Sequence, residues 1–219
     1  MSLLRCARQV ALARRDGAFG PVDSLGHAHH CLRGNGRWVG VFADIDTSFV
    51  AARNVVAVDL GSRARFTQPL DTGQLIALEL AEWTAQRHGA AEYRSAQRMY
   101  TPVTLRFEAD SIEAWLIPAS LIMGETRTVG GERGYVFTPD GKQVVREMDS
   151  FADYRPIMLA DTGQVRIVSS QETVPTISEL VLANVMHDNG RSVAIVTHSL
   201  TSILVPSGDD VWIHLVNKR

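Results

Sequence analysis

The chain has 219 residues, of which 45% are hydrophobic and 21% are charged, and its formal net charge at pH 7 is -2. This composition is typical of a folded globular protein, and it excludes the strongly basic surface that recruits nucleic acid. No apolar run approaches the roughly 18 residues that a membrane span needs. The sequence therefore predicts neither a nucleic-acid partner nor a membrane span.

Two cysteines, Cys6 and Cys31, are too few for a disulfide framework. They could form one bridge, but two free thiols in a reducing compartment are the favoured interpretation. Residues 1–15 lack the uninterrupted apolar region and the cleavage site of a secretory signal. We therefore predict a cytoplasmic protein, unless a native leader has been removed.

The first two predicted helices lie in the amino-terminal half. Residues 3–15 place their apolar side chains on one face and their arginines on the other. Residues 72–88 follow Asp71, which can cap the first backbone amides, and they stop before Gly89, which can adopt the left-handed conformation that ends a helix. Apolar side chains, Trp83 among them, cover most of this second helix, so we expect it to be largely buried.

Glu79, Glu82 and Gln86 are spaced three and four residues apart, which predicts one solvated stripe on the second helix. A third helix is predicted at residues 176–188. Thr176 and Glu179 have the spacing of a capping box at its start.

The remaining segments have strand patterns separated by turn residues. The clearest hairpin spans residues 134–145, where proline, aspartate and glycine at 139–141 supply the turn. Residues 154–168 are predicted to form another hairpin, and residues 124–134 a loop or the flexible tip of a longer hairpin. Further strands are predicted at 37–45, 54–60, 101–108, 112–118, 192–197, 202–205 and 211–216.

Most of these strands follow one another through short turns rather than through helices. This order predicts an α+β fold, mainly an antiparallel sheet built from hairpins, with two or three packed helices at about 3–15, 72–88 and 176–188. We expect one domain over residues 1–219, with a possible subdivision near 124–134.

The first candidate site is a histidine cluster at His27, His29 and His30, followed by Cys31. Imidazole and thiolate are common zinc ligands, and side chains two apart on a strand point to the same side. His27 and His29 could therefore hold one divalent metal such as zinc, with His30 or Cys31 added if the chain turns. The alternative is a polar loop with exposed histidines, and it is favoured because no second cluster of spaced ligands exists.

The second candidate is the acidic pair Asp44 and Asp46 at the end of an apolar strand. Such carboxylates can hold Mg²⁺, or one of them can act as a nucleophile. Residues 44–48 resemble the first motif of haloacid-dehalogenase-type phosphatases, and residues 193–197 and 208–210 resemble two later motifs. However, no lysine lies between Thr197 and Asp209, and the chain lacks the alternating strand–helix pattern. Turns between strands are therefore the favoured interpretation.

Two functional hypotheses follow from these features. The favoured one is a non-enzymatic binding or assembly protein, because no complete catalytic constellation is visible and many strands have edges that need partners. It predicts a protein partner or a homo-oligomer. The alternative is a metal-dependent hydrolase centred on His27–His30, with Asp44 or Asp46 brought close by the fold.

Overall fold

A computed structural model describes residues 26–34, 37–59, 62, 64–96, 100–107, 111–118, 126–148, 155–158, 165–169, 175–188, 190–205 and 211–216. The helix predicted at residues 3–15 and the acidic pair at 209–210 lie outside these ranges. Among the described residues, no helix is long and apolar enough to cross a membrane.

The described secondary structure is mostly strand, with two helices. The helices are α1 (Thr72–Ala96) and α2 (Ile177–Asp188). The strands are β1 (Ala28–Gly34), β2 (Arg37–Ile45), β3 (Ala52–Asp59), β4 (Tyr100–Phe107), β5 (Ser111–Pro118), β6 (Thr126–Val129), β7 (Arg133–Phe137), β8 (Val144–Met148), β9 (Arg155–Met158), β10 (Val165–Val168), β11 (Val193–Val196), β12 (Leu200–Val205) and β13 (Val211–Val216).

These strands form four sheets, with the orders β1-β2-β3, β4-β5-β7-β8, β6-β9 and β10-β11-β12-β13. Pairing is antiparallel in β1-β2-β3, in β6-β9 and along β11-β12-β13. An α+β-like fold rich in antiparallel sheet is therefore confirmed.

The chain divides into two compact units, each assembled from three stretches. The first contains the described residues of Met1–His88, Val103–Trp115 and Tyr135–Glu147. The second contains those of Gly89–Pro102, Leu116–Gly134 and Met148–Arg219. The expectation of one domain over the whole chain stays a prediction.

In the first unit, the strands predicted at 37–45 and 54–60 are β2 and β3, which pair antiparallel, and the turn between them starts at Asp46. Strand β1, which was not predicted, pairs antiparallel with the other side of β2. The apolar side chains of β2 form much of its core, with Val39, Val41 and Phe42 fully buried. The predicted hairpin at 134–145 is also confirmed as β7 and β8, with the turn closed by the Thr138 amide donating to the Gln143 carbonyl at 3.0 Å.

Helix α1 begins where the sequence predicts, because the Asp71 carboxylate accepts bonds from the amides of Gly73 and Gln74 at 3.0 and 3.3 Å. The prediction that it ends at Gly89 is wrong, since the helix continues to Ala96. Residues 90–92 are alanine, alanine and glutamate, which are strong helix formers and offset the single glycine.

We expected α1 to be largely buried, and the structure buries one side of it. Its buried side carries Leu75, Leu78, Ala81 and Ala85, at helical spacings of three and four, with Ala77 buried beside them. Trp83 lies on the open side and is 43% exposed. Burial of the aliphatic stripe fixes the helix rotation, and Trp83 is carried to the outside.

The second unit contains a pairing that the sequence did not indicate. The hairpin predicted over 154–168 is wrong: β9 pairs antiparallel with β6, and β10 pairs parallel with β11. The connection from β10 to β11 contains α2, whose buried side chains pack on β11 and β12. An apolar helix needs a sheet to cover it, and a parallel crossover supplies one. The predicted loop at 124–134 likewise contains β6.

Helix α2 starts with the predicted capping box. The Thr176 amide donates to the Glu179 carboxylate at 2.9 Å, and the Glu179 amide donates to the Thr176 hydroxyl at 3.3 Å. Both side chains are buried.

Candidate functional site

The three candidate histidines lie at the start of β1 in different environments. His27 precedes the strand and is exposed, His29 is partly exposed, and His30 is buried. The ring Nδ1 of His29 lies 3.4 Å from the backbone carbonyl oxygen of His27. Strand alternation therefore separates His30 from His29 and turns it towards the core.

His30 pairs with a carboxylate of α1 rather than with another histidine. Its Nε2 lies 2.6 Å from Oε2 of Glu79. Burial alone would raise the pKa of Glu79, but the hydrogen bond and charge of His30, with a smaller effect of His29, hold it below its usual value. The pair is a charge-assisted hydrogen bond that ties β1 to α1.

Glu82, one turn along α1, extends this arrangement. The hydroxyl of Thr104 on β4 donates to its Oε2 at 2.9 Å. Burial raises the pKa of Glu82, and the charge of Glu79 adds to that effect against the opposing influences of His30 and Thr104. We call His30, Glu79, Glu82 and Thr104 the His30 cluster. Carboxyl groups with perturbed pKa values next to a histidine are candidates for acid–base chemistry.

The sequence pointed to His30 but not to its partners. Glu79 and Glu82 were expected on a solvated stripe, and the structure instead directs both towards polar side chains of other elements. The available signal was the apolar composition of the helix, which leaves little room for two unpaired carboxylates next to a core.

Asp44 and Asp46 lie at the end of β2, and their carboxylates bind the residues around the turn. Asn54 donates its amide to Asp44 at 2.8 Å, and the Val50 backbone amide donates to Asp46 at 2.9 Å. The pKa of each aspartate is lowered, mainly by that hydrogen bond. His27 adds a backbone hydrogen bond and a charge effect on Asp44, so these two candidates are neighbours.

The candidate metal site at residues 27–31 lacks one of its expected ligands. Cys31 is disulfide-bonded, so the expectation of two free thiols is wrong, and its sulfur is not available as a thiolate. The other cysteine, Cys6, lies outside the described residues. Within the part of the chain that the structure describes, no group of three His, Cys, Asp or Glu side chains is placed to hold a metal ion. A zinc site at His27, His29 and His30 stays a prediction.

The sheet β10-β11-β12-β13 of the second unit presents a different kind of candidate site. One of its faces is buried and carries Val165, Ile167, Val193, Ile195, Ser202 and Leu204. The opposite face, which we call the open face, carries Arg166, Val168, Ala194, Val196, Thr201, Ile203, Ile213 and Leu215. All but Arg166 and Thr201 of the open face are apolar, and several are exposed.

Strand β13 is the last strand in the order of this sheet and is exposed on both sides. Ile213 and Leu215 on the open face are 44% and 51% exposed. His214 and Val216 point the other way and are exposed too, with the hydroxyl of Ser202 at 2.9 Å from Nδ1 of His214. The strand contains no lysine, arginine, aspartate, glutamate or proline. Edge strands of monomers are usually protected by such residues.

Comparison with protein-family models, with curated proteins and with solved structures finds no match for this chain.

Proposed function

We propose that the protein is a non-enzymatic assembly protein that associates with a second copy of itself through β13. The observation that carries the proposal is the exposed apolar edge strand beside an apolar open face. Edge strands recruit further strands through their outward N–H and C=O groups, and the exposed side chains add apolar burial. The two sheets would then continue into each other across a two-fold axis.

Self-pairing fits the chemistry of the strand. Antiparallel copies of β13 bring no pair of permanently charged side chains into opposition, because the strand has none. The formal net charge of -2 adds little long-range repulsion between copies. A symmetric contact of this kind also closes on itself and ends at a dimer.

The expected strength follows from the exposed side chains. Completing the burial of Ile213, Leu215 and Val216 contributes roughly 1 kcal/mol for each side chain, or about 6 kcal/mol for two copies. About six ladder hydrogen bonds at roughly 0.5–1 kcal/mol each add about 4 kcal/mol, and association costs at least about 4 kcal/mol. The net is on the order of 6 kcal/mol, which corresponds to a dissociation constant of roughly tens of micromolar. The dimer is therefore expected to be reversible.

Sedimentation velocity over a range of protein concentrations tests the proposal. The wild type should pass from monomer to dimer, and Leu215→Lys should remain monomeric, because lysine on an edge strand opposes pairing. Val145→Lys is the matched control, since Val145 is an exposed apolar residue on β8, at the end of another sheet. A wild type that is monomeric throughout, or a Leu215→Lys variant that dimerises equally well, would contradict the proposal.

The metal-dependent hydrolase centred on His27–His30 remains the second candidate function, and the observation in its favour is the neighbouring placement of His27 and Asp44. Elemental analysis of wild type and of a variant with His27, His29 and His30 changed to alanine tests it. Stoichiometric zinc that disappears in the variant would favour the hydrolase. Equal, trace zinc in both proteins would remove it.

A further inference from the structure

A second exposed patch lies in the first unit, on α1 and the turn between β2 and β3. The ring of Phe49 packs against Trp83 with centroids 5.4 Å apart and planes tilted by 54°. The guanidinium carbon of Arg87 lies 4.6 Å from the centroid of the Trp83 ring. Val50, next to Phe49 in the chain, is 75% exposed. We call Phe49, Val50, Trp83 and Arg87 the aromatic patch.

The turn holds Phe49 in an unusual conformation. Its φ is +55°, in the left-handed region that bulky side chains rarely adopt and that costs about 1–2 kcal/mol. The conformation is fixed by Asp46, whose carbonyl accepts the Phe49 amide at 3.0 Å and whose carboxylate accepts the Val50 amide at 2.9 Å. A glycine or asparagine would satisfy the backbone here at lower cost, so the aromatic ring is the feature that needs an explanation.

Arg87 gives the aromatic patch a positive charge. The guanidinium is stacked on Trp83 and exposed, and no carboxylate among the described residues pairs with it. Stacking orders the side chain before any ligand arrives, which lowers the entropy lost on binding. The five N–H donors of a guanidinium match a carboxylate in a bidentate geometry. Tryptophan and arginine are also the residues most enriched at binding hot spots.

The charge distribution selects among anionic ligands. Nucleic acid needs several cations along its phosphates, whereas this patch has one stacked guanidinium. One cation bordered by Phe49, Trp83 and Val50 fits a single carboxylate next to an apolar side chain. We propose that the aromatic patch is a docking site for an acidic, apolar peptide segment of a protein partner.

The test uses fluorescence anisotropy of a labelled, capped peptide in which one glutamate lies next to a leucine. A matched peptide with lysine in place of glutamate and a short single-stranded DNA serve as comparisons. The wild type should bind the glutamate peptide saturably, with an affinity that falls as salt rises, and should bind the other two at least about tenfold more weakly.

Arg87→Gln and Trp83→Ala should each weaken binding of the glutamate peptide by about tenfold or more. Arg146→Gln is the matched control, because it removes an exposed arginine from β8 in the same unit, and it should leave the affinity unchanged. Absence of binding, equal binding of the lysine peptide, tighter binding of DNA, or an affinity unaffected by Arg87→Gln would overturn the proposal. Because Trp83→Ala removes a packed ring, circular dichroism confirms that each variant is folded.

Discussion

Glu132 offers the most informative stability test, because it is a carboxyl group with almost no access to water. Glu132 directly precedes β7 in the chain, and its side chain is fully buried. Its Oε2 accepts the Ser178 hydroxyl at 3.0 Å, whereas its Oε1 has no hydrogen-bond partner among the described residues. Burial raises the pKa of Glu132, against hydrogen bonds from Thr176 and Ser178. Replacement by glutamine keeps the shape and removes the charge.

The sign of the pH dependence follows from the raised pKa. A carboxyl whose pKa is higher in the folded state favours folding below its unfolded value of about 4.5. That contribution is lost as pH rises through the folded-state pKa. The glutamine of the Glu132→Gln variant does not titrate. The free energy of unfolding of the variant, relative to that of the wild type, should therefore increase as pH rises, by at most about 1.4 kcal/mol per pH unit.

The size of the effect follows from the charge that the amide lacks. Burying an incompletely paired group costs about 1–3 kcal/mol, and more when the group is charged, so the neutral Gln variant should be more stable by roughly that amount at pH 7. Urea denaturation between pH 4 and pH 8 measures the difference, with exposed Glu147→Gln as control. A difference that does not vary with pH, or a Gln variant less stable than wild type at pH 7, would refute the reasoning.

Two further predictions concern stability, and a third concerns the disulfide of Cys31. His30→Ala should lower the free energy of unfolding by about 1–3 kcal/mol in urea at pH 7 because it leaves Glu79 without its partner, and partly exposed His29→Ala should cost less. Since the pKa of Glu79 is lowered, the loss in His30→Ala should shrink as pH falls through that pKa. Gly141→Ala should lower the free energy of unfolding by about 2–5 kcal/mol in thermal denaturation, because φ is +74° and a Cβ would lie 2.1 Å from a carbonyl oxygen of α1. The control is Gly190→Ala, at a glycine with φ of +75° in open space, which should lower it by only about 1–2 kcal/mol. Cys31 should resist alkylation in the denatured protein until a reductant is added, as read by mass spectrometry; alkylation without reductant would contradict the disulfide.

Local chemistry made several parts of the fold predictable. The Asp71 cap, the Thr176–Glu179 capping box and the turn at residues 139–141 each depend on groups within a few positions of one another. Such interactions are encoded in short stretches and survive whatever the rest of the chain does.

The features that the sequence did not predict depend on residues far apart in the chain. His30 and Glu79 are 49 positions apart, and their pairing requires knowledge of which sheet α1 covers. The parallel pairing of β10 with β11 likewise depends on where α2 packs, and strand patterns carry no information about the neighbour. The exposure of Trp83 has the same origin, because hydrophobicity favours burial but the aliphatic stripe of α1 determines its rotation.

The sequence predicts an assembly only in outline, without the strand that would form the contact. Unprotected strand edges suggested a protein partner or homo-oligomer, and the structure identifies β13 as the strand whose apolar side chains are exposed on both faces. The residues of the open face cannot be predicted from the sequence, because they are brought together by the registers of four strands.

Amide hydrogen exchange at β13, measured at low and high protein concentration, tests the assembly most directly. If two copies pair through this strand, alternate amides of Val211–Val216 should gain protection at high concentration, and Leu215→Lys should abolish that gain. Protection that does not depend on concentration, or a gain confined to other strands, would contradict self-association through β13.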